Sequence, residues 1–487
     1  MPDAAEAPLA PGPARIEEWT VWVEPLDALE AVRSTDRPAL LLSGLEEHAA
    51  SRYSILAWSP LAEVTLRATR ASIVRHESGR ARETRQDCQD PLTLLRRLLP
   101  VHEESRDGGL PFTGGAIGWL GYGLRRGIER LPAAPPDPLD QPDAWLAVYD
   151  AALIFDHARH TVFKVTAPAS LPAARAEDRA RERGGDLERA LREAARPGRL
   201  RSALAEPARI EARPATSRDD YLASVRRVLE LIGAGDLYQV NLSHRISCAP
   251  GQEPIDLFLA LMRRNPAPFA AYLDSGSLQI VCASPERFLA LRDGVARSSP
   301  IKGTRPRGAT PEADERLARE LLLSAKDRAE NVMIADLVRN DLGRVCAPGS
   351  VRAETLCGLE SFATVHHLVS TISGRVRNDR DRIDLVRALF PGGSMTGAPK
   401  IRAMEVIAEL EGEERGVYSG SIGYLSRGGG LDFNIVIRTI VCGGGRADLR
   451  VGGGIVADSD PEDEYRETLD KARALLDALR AEIRSGD

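Results

Sequence analysis

The sequence predicts a fold that combines β-sheet with α-helix, and two observations carry that prediction. Apolar runs with strand character occupy residues 39–44, 52–58 and 64–69, so the first half is expected to be all-β or α+β. In the second half, residues 221–232 place apolar side chains at helical spacing, and residues 238–246 then alternate strictly between polar and apolar. Helices and strands therefore share this chain.

Length and composition describe a large globular protein. At 487 residues the chain exceeds what one hydrophobic core usually serves, so two domains or one large composite are expected. The hydrophobic content of 43% and the charged content of 28% are ordinary for a soluble protein. A net charge of -6 gives no reason to expect nucleic acid or an anionic membrane as a partner.

The sequence contains neither a secretory signal nor a cysteine pattern typical of metal sites. Its N-terminus lacks the basic start and apolar run of a signal peptide, and no window reaches the roughly 18 uninterrupted apolar residues of a membrane span. The six cysteines are scattered, without a Cys-x-x-Cys pair. This pattern favours reduced cysteines in a cytoplasmic protein.

A change of composition suggests where the chain divides. Residues 1–15 are expected to form a disordered leader, with structure starting near Glu17. Residues 16–170 would form an N-terminal β-rich domain. From 171 to 216 the sequence is dominated by Ala, Arg, Glu and Pro, which is typical of a solvated helical or disordered connector. Residues 217–487 would form the second domain.

Three polar side chains share one face of the strand predicted at residues 238–246. Strict alternation places Gln239, Asn241 and Ser243 together, opposite the apolar side chains. Such a face is either a solvent-facing polar edge or part of a polar site, and the pattern alone leaves both open.

One acid and one amine stand at the ends of two short extended runs. Glu286 precedes a run that reaches Asp293-Gly294, a pair that supplies the positive φ of a tight hairpin turn, and Lys302 follows the return run. The hairpin would bring both side chains near one pocket. Only five of the 65 basic residues are lysine, so a retained lysine suggests a task that a permanently protonated guanidinium cannot perform. The alternative is a surface lysine in a turn.

Acidic side chains are predicted on one face of each of two helices. The first helix covers residues 311–337, and the second begins at Pro461 after a capping Asp460. The faces carry Asp327 and Glu330 on the first helix and Glu464, Glu467 and Lys471 on the second. Together they can supply the oxygen ligands that Mg²⁺ prefers. The alternative is a set of surface charges, with Glu467 and Lys471 as a plain ion pair one turn apart.

Further residues suit a carboxylated ligand. Arg438 is predicted mid-strand among apolar neighbours, where a buried guanidinium needs a partner such as a bidentate carboxylate. The run Gly452, Gly453 and Gly454 enters an apolar strand and exposes backbone N–H groups that can bind an anion. With Tyr424 and the acidic helices, these residues predict a metal-assisted site for a small, multiply carboxylated substrate.

Nine motifs between residues 220 and 480 together resemble the chorismate-utilising enzymes. They are Gln239-Val-Asn-Leu, Ala283-Ser-Pro-Glu, Pro300-Ile-Lys-Gly-Thr, Lys326-Asp-Arg-Ala-Glu, Asp336-Leu-Val-Arg-Asn-Asp, Val365-His-His-Leu-Val, Gly397-Ala-Pro-Lys, Ile437-Arg-Thr and Gly452-Gly-Gly-Ile-Val. Residues 42–44 and 52–55 resemble the N-terminal part of the anthranilate and aminodeoxychorismate synthases. The resemblance therefore reaches nearly the whole chain.

Within that family, two positions resemble the aminodeoxychorismate synthase branch. Lys302 stands where the anthranilate synthases carry Ala, and Asn241 also follows the para-aminobenzoate pattern. Isochorismate and salicylate synthases carry a water-activating lysine where Gln239 stands. The resemblance implies an α+β fold with central antiparallel sheets packed near-orthogonally and helices outside. It also implies conversion of chorismate and ammonia to 4-amino-4-deoxychorismate, for para-aminobenzoate and folate synthesis or for a secondary metabolite.

The resemblance implies roles for individual residues. Lys302 would attack C2 of chorismate, Glu286 would protonate the departing 4-hydroxyl, and ammonia would then displace the lysine by attack at C4. Mg²⁺ would lie between Glu330 and Glu467, with support from Glu464 and from Asp327, which stands where the family carries Glu. The residues that would hold chorismate are Gln239, His367, Ser394, Tyr424, Arg438, Gly452, Gly453, Gly454 and Lys471.

The resemblance also implies partners. No cysteine lies in the Gly-x-Cys-x-Gly context of a glutamine amidotransferase, so ammonia would come from a separate amidotransferase subunit. Pyruvate elimination to para-aminobenzoate would fall to another protein. A tryptophan pocket is expected near Ser43, Arg52, Tyr53, Pro268 and Phe269. Competing hypotheses are component I of an anthranilate synthase and a non-catalytic subunit that senses chorismate or tryptophan.

Overall fold

The computed structural model describes residues 8–9, 12–45, 51–77, 80–102, 109–132, 137–168, 173–196, 208–362 and 365–484. Within these ranges the chain forms ten α-helices and 25 β-strands, numbered along the chain. The helices are α1 (Pro25–Ala31), α2 (Pro91–Leu98), α3 (Ala173–Ala194), α4 (Arg218–Gly233), α5 (Pro254–Arg264), α6 (Pro311–Leu323), α7 (Ala325–Gly343), α8 (Arg382–Leu389), α9 (Lys400–Glu411) and α10 (Pro461–Leu479). None of these described helices is both long and apolar enough to cross a membrane.

The described strands form two large sheets, named sheet A and sheet B. Sheet A has 13 strands in the order β1 (Arg15–Trp19), β10 (Thr161–Thr166), β9 (Ala151–Asp156), β3 (Tyr53–Ala57), β2 (Ala39–Leu42), β13 (Phe269–Asp274), β14 (Gln279–Ser284), β23 (Thr439–Gly443), β24 (Arg446–Ile455), β12 (Gln239–Cys248), β11 (Ile210–Pro214) and β25 (Ala481–Ile483), with β20 (Gly397–Ala398) paired to β12. Sheet B has 12 strands in the order β17 (Ile301–Pro306), β19 (Val365–Arg375), β16 (Val295–Ser299), β15 (Arg287–Arg292), β22 (Leu431–Asn434), β21 (Ser421–Ser426), β7 (Gly115–Leu120), β8 (Ala144–Tyr149), β4 (Ala62–Arg67), β5 (Arg70–Glu77) and β6 (Arg80–Asp87), with β18 (Arg352–Ser361) paired to β19.

Each sheet combines strands from both halves of the sequence. In sheet A, β2 pairs antiparallel with β13, and in sheet B, β7 pairs antiparallel with β21. The parallel pair of β11 with β25 departs from this antiparallel pattern. The change of composition at residues 171–216 therefore does not separate one sheet from the other.

Apolar layers lie between the sheets and on their outer faces. The inner layer joins Ile154 and Ile280 of sheet A to Trp119 and Trp145 of sheet B, whose ring centroids are 5.0 Å apart. Helices α1, α3, α5 and α10 cover sheet A, while α2, α7 and α8 cover sheet B. The predicted α+β class, with antiparallel sheets at the centre and helices outside, is confirmed.

Local sequence signals explain most helix ends. The helix expected at 221–232 lies within α4, and α10 begins at Pro461 after Asp460, whose side chain accepts hydrogen bonds from two backbone N–H groups. The continuous helix expected over residues 311–337 is wrong. Ser324 interrupts it with extended backbone and caps α7, since its Oγ accepts from the Asp327 N–H at 3.2 Å.

The proposed leader and connector fall partly outside the described residues, which omit 1–7, 10–11, 169–172 and 197–207. Leu9 is buried, and its N–H donates to the carbonyl of Leu98 at 2.7 Å. In the connector, α3 buries Leu187 and Leu191 against sheet A, so this helix is not solvated on all sides.

Candidate active site

A hairpin brings the predicted acid and amine together. β15 and β16 pair antiparallel across Asp293 and Gly294, whose φ angles of 52° and 73° suit a tight turn. Glu286 directly precedes β15, and Lys302 is the second residue of β17. Glu286 Oε1 accepts a hydrogen bond from the backbone N–H of Ile301 at 3.4 Å. The hairpin prediction is confirmed.

Burial makes Glu286 a weak acid. Its residue is 4% exposed, and burial raises the pKa of its carboxyl to about 7. A hydrogen bond from the Ser394 side chain and the charge of Lys302 oppose this shift without cancelling it. A carboxyl with a pKa near neutral pH can both hold and release a proton, as a general acid must.

The environment of Lys302 favours a neutral amine. Its Nζ atom donates to the backbone carbonyl of Ser394 at 3.2 Å. Burial lowers the pKa of the amine from its ordinary value, although the charges of Glu330 and Glu286 favour the ammonium form. The alternative of a surface lysine in a turn is wrong, because Lys302 lies within β17 and its side chain is partly buried.

Two carboxylates on α7 and α10 face this amine. Burial raises the pKa of Glu330, and the charge of Glu467 adds to that effect. Burial would also raise the pKa of Glu467, but the ammonium of Lys471 lowers it below its ordinary value. Lys471 Nζ lies 2.6 Å from Glu467 Oε1, so the ion pair that the spacing predicted is present.

The other two predicted metal-site acids have protein partners. Asp327 Oδ2 accepts from Arg305 Nη2 at 3.1 Å. Glu464 is buried, and its Oε1 accepts from Ser459 Oγ at 2.6 Å. Arg305 and Ser459 thus hold these two carboxylates in place.

The donor set partly fits a magnesium site. Among the described residues, no group of three or more His, Cys, Asp or Glu side chains is arranged to hold a metal ion. Glu330 and Glu467 nevertheless interact electrostatically across the site. Mg²⁺ commonly takes one or two protein carboxylates and completes its octahedron with water and substrate. Glu330 and Glu467 therefore fit the ion, although Glu467 also pairs with Lys471, and Asp327 and Glu464 have other partners.

The polar face of β12 is buried, so the alternative of a solvent-facing edge is wrong. Gln239, Asn241 and Ser243 are each at most 5% exposed. Both polar atoms of the Gln239 side chain lack a hydrogen-bond partner among the residues described. Buried amides are normally satisfied, so this one is suited to bind polar groups of a ligand.

The three glycines lie beside this face on β24. β23 covers β24 only from Arg446 to Leu449, so Gly452, Gly453 and Gly454 pair with β12 on one edge and have no described strand on the other. A Cβ atom on Gly454 would lie 2.3 Å from the Gln239 side-chain amide and 3.4 Å from Lys302 Nζ. Only glycine, which has no Cβ atom, lets the Gln239 side chain lie this close to the backbone of β24.

Three further predicted site residues near Lys302 and Glu286 are Ser394, His367 and Lys471. Ser394 lies in a 3-10 turn, Gly393–Met395, and is buried. His367 Nδ1 hydrogen bonds to Thr304 Oγ1 at 2.8 Å, and burial together with the charge of Arg438 lowers the His367 pKa to about 3. The imidazole is therefore neutral at physiological pH. Lys471 Nζ donates to the carbonyl of Gly452 at 2.8 Å.

Arg438 is not in mid-strand, contrary to the prediction. It directly precedes β23 with a φ of 51°, a left-handed conformation that is uncommon for arginine. Burial lowers the pKa of its guanidinium, while Tyr418 and Glu467 oppose that shift. No hydrogen bond or ion pair of this guanidinium occurs within the described ranges. It can therefore bind a ligand carboxylate.

The sequence matches the chorismate binding enzyme family over residues 39–477. The chain belongs to this family. It is 43% identical over 443 residues to aminodeoxychorismate synthase component 1 of Salmonella typhimurium, covering 90% of this chain and 92% of that protein. It is also 43% identical over 398 residues to anthranilate synthase component 1 of Streptomyces coelicolor, covering 80% of this chain and 78% of that one.

A solved structure supports the same assignment. The crystal structure of anthranilate synthase component I from Streptococcus pneumoniae TIGR4 superimposes with a TM-score of 0.76 and 32% sequence identity, covering 88% of this chain and 93% of that chain. The fold of this chorismate binding enzyme is thus that of anthranilate synthase component I.

One predicted substrate residue lies apart from the others. Tyr424 lines a cavity of about 620 Å³ that is bordered by residues of both sheets, where its ring contacts Phe112 edge to face. Tyr418, six residues earlier, is buried beside Arg438 instead. The two tyrosines occupy one glycine-rich stretch, and no sequence pattern distinguished them.

All five residues of the expected tryptophan pocket line that same cavity. They are Ser43, Arg52, Tyr53, Pro268 and Phe269. Arg52 lies 4.7 Å from the centroid of the Tyr53 ring and donates to Asp156 Oδ2 at 3.0 Å. Arg287, which directly follows Glu286, lies 4.8 Å from the centroid of the Phe269 ring. The cavity therefore adjoins the proposed active site through two consecutive residues.

Proposed function

We propose that this chorismate binding enzyme aminates chorismate at C4 and yields 4-amino-4-deoxychorismate, the precursor of para-aminobenzoate. The observation that carries the proposal is the pair of Lys302 and Glu286. An amine whose pKa is lowered by burial lies beside a carboxyl whose pKa is raised to about 7. These are the protonation states that a nucleophile and a general acid need.

Chorismate would be held by its carboxylates. Arg438 is the unpaired guanidinium on one side of the site, and Gly452, Gly453 and Gly454 offer backbone N–H groups on the other. Tyr418, rather than the predicted Tyr424, would contact the substrate, because it lies beside Arg438. The chorismate ring would also be contacted by His367, Ser394, Gln239 and Lys471.

The proposed chemistry has two displacements. In the first, the neutral Lys302 amine attacks C2 of chorismate, both conjugated double bonds of the ring shift, and the 4-hydroxyl leaves as water after Glu286 donates its proton. In the second, ammonia attacks C4, both double bonds shift back, and the lysine leaves C2 as a free amine. Glu286 is restored when a proton released during amination returns to it. One chorismate and one ammonia thus give one product and one water.

Mg²⁺ is proposed as the cofactor, held by Glu330 and Glu467. When bound, it supplies positive charge that orients the ring carboxylate. Support for this position comes from the electrostatic interaction between Glu330 on α7 and Glu467 on α10, while Asp327 and Glu464 have other partners.

Ammonia is proposed to come from a separate glutamine amidotransferase subunit. The Salmonella relative is named component 1, which supports a second component in that system. The cysteine at the centre of amidotransferase chemistry has no candidate here, because all six cysteines of this chain are buried.

The test is to incubate the purified chain with chorismate, Mg²⁺ and ammonium, and to identify the product by mass and absorbance. We expect 4-amino-4-deoxychorismate without release of pyruvate. Fluorescent anthranilate together with an equal amount of pyruvate would favour the anthranilate synthase alternative, which the Streptomyces coelicolor relative supports. Tight chorismate binding without any product would favour a non-catalytic sensing subunit.

Tryptophan is proposed as the occupant of the 620 Å³ cavity. The aromatic rings of Tyr53 and Phe269 offer surfaces for an indole, and the cavity adjoins Glu286 through Arg287. This site would bind tryptophan independently of the reaction above.

A further inference from the structure

Arg415, which follows α9, is a buried cation that no step of the proposed reaction uses. Its side chain is 1% exposed, and its five N–H donors all have acceptors. Nε and one hydrogen of Nη2 donate to the Glu411 carboxylate at 2.8 and 2.6 Å. The other Nη2 hydrogen goes to the carbonyl of Asn241 at 2.6 Å. Nη1 donates to the Met395 carbonyl at 2.8 Å and to Ser419 Oγ at 3.0 Å.

Three of these acceptors lie on separate elements that each carry a site residue. Met395 directly follows Ser394, the residue that contacts both the acid and the amine. Ser419 directly follows Tyr418, which lies beside the carboxylate-binding arginine. Asn241 belongs to the buried polar face of β12. One planar group therefore joins the 3-10 turn, the Tyr418 segment and β12.

We infer that Arg415 is a positioning residue, which fixes the mutual placement of these three elements around the substrate. Its charge is balanced within the fold, since Glu411 is itself anchored by the N–H and Oγ of Ser243 at 2.7 and 2.8 Å. It is therefore unavailable to substrate, in contrast to Arg438. The inference rests on the proposed function only for the nature of the substrate.

A lysine cannot reproduce this arrangement. Its ammonium has three donors on one atom, so Arg415→Lys leaves at least two of the five acceptor contacts unmade. The three elements can then shift relative to one another. Because a misplacement of about 1 Å can cost about 100-fold in rate, we expect kcat to fall about 100-fold while KM for chorismate changes by less than about threefold.

Arg382 provides a matched control. It is 4% exposed, and its two Nη atoms donate to the backbone carbonyls of Ser426 and Leu99, neither of which is a site residue. Arg382→Lys should destabilise the fold by a similar mechanism but keep wild-type turnover per folded molecule. Comparing the two variants at equal folded fraction separates positioning from loss of stability.

A second variant does not depend on the folding of Arg415→Lys. Ser419 has a φ of 63°, which glycine adopts without strain, so Ser419→Gly removes one acceptor and relieves backbone strain. We expect an undiminished thermal midpoint together with reduced turnover. A merely structural role of Arg415 predicts unchanged turnover in this variant.

The assay follows chorismate consumption, which is the same for para and ortho amination. Hydrogen exchange of the backbone amides of the 3-10 turn is measured in parallel, and it should accelerate in Arg415→Lys but not in Arg382→Lys. Arg415→Lys with wild-type kcat per folded molecule and unchanged exchange would overturn the inference. If the wild type consumed no chorismate, the proposed function would fail, and the exchange data would still decide whether Arg415 holds the turn.

Discussion

The substitution Lys302→Arg tests whether the amine is a nucleophile or only a positive charge. Arginine keeps the positive charge, but its guanidinium is permanently protonated and cannot attack carbon. It is also longer, and Lys302 Nζ already lies 3.4 Å from where a Cβ atom on Gly454 would be. Loss of activity would therefore follow from the chemistry and from crowding together.

The magnitude follows from the fraction of neutral base. At pH 8 an amine with an ordinary pKa of about 10.4 is neutral in about 0.4% of molecules, whereas a guanidinium, whose pKa lies far higher, is neutral in about two in a million. Their ratio is about 2,500. Since burial lowers the pKa of Lys302, its neutral fraction is higher than the ordinary one, and turnover should fall by at least about 1,000-fold.

Two measurements check this expectation. Steady-state turnover of chorismate with ammonium is compared among the wild type, Lys302→Arg and the control Lys164→Arg. Lys164 forms an ion pair with Glu17 at 2.8 Å in sheet A, and arginine can replace it there. Wild type quenched with chorismate in the absence of ammonia is also analysed by denaturing mass spectrometry. An adduct of chorismate less one water is expected on the peptide that contains Lys302.

An active Lys302→Arg enzyme that makes the same para product would refute the covalent role. It would also remove our main reason for preferring para amination over ortho amination. Absence of the adduct in a wild type that turns over normally would point to direct attack by ammonia.

Four further predictions address the rest of the site. Lys302→Ala should keep a slow route in which ammonia attacks chorismate directly, with anthranilate as product; a para product would argue against this. Glu330→Ala or Glu467→Ala should abolish activity, because each removes a hard oxygen ligand, while the circular dichroism spectrum stays unchanged. Wild-type turnover with retained magnesium dependence in either variant would contradict the proposed metal site between α7 and α10. Since Glu286 must carry a proton while Lys302 must lose one, the gain in turnover with rising pH that deprotonation of Lys302 gives should stop above about 7, and Glu286→Gln should lose this break together with about 100- to 10,000-fold in rate. Tryptophan should give a calorimetric binding signal with ligand-free protein, and silence would exclude the proposed occupant of the cavity.

The features that the sequence predicted correctly are encoded locally. The Asp293-Gly294 turn and the Asp460 cap each depend on a few adjacent residues, because backbone φ and side-chain capping are local properties. The interruption at Ser324 was missed although its signal is also local. The apolar stripe continued across it, so the helical periodicity concealed the cap.

Burial and long-range placement could not be predicted in this way. The alternation of β12 shows that Gln239 and Asn241 share a face, but only the pairing with β24 and the packing of other elements decide that this face is buried. Tyr418 and Tyr424 have similar sequence neighbours. Their separation arises because Tyr424 belongs to β21, whereas Tyr418 lies in the segment that leads from α9 into that strand.

The scarcity of lysine has a physical reason at this site. Lys471, Lys302 and Lys326 all lower the pKa of Glu467, so three of the five lysines surround one carboxylate. Guanidinium groups could supply the same attraction, but all would remain protonated. An ammonium group loses its proton more readily where burial and like charges disfavour the charged form, and burial lowers the pKa of Lys302 in this way. A lysine can therefore act as a nucleophile among these acidic residues, which an arginine could not do.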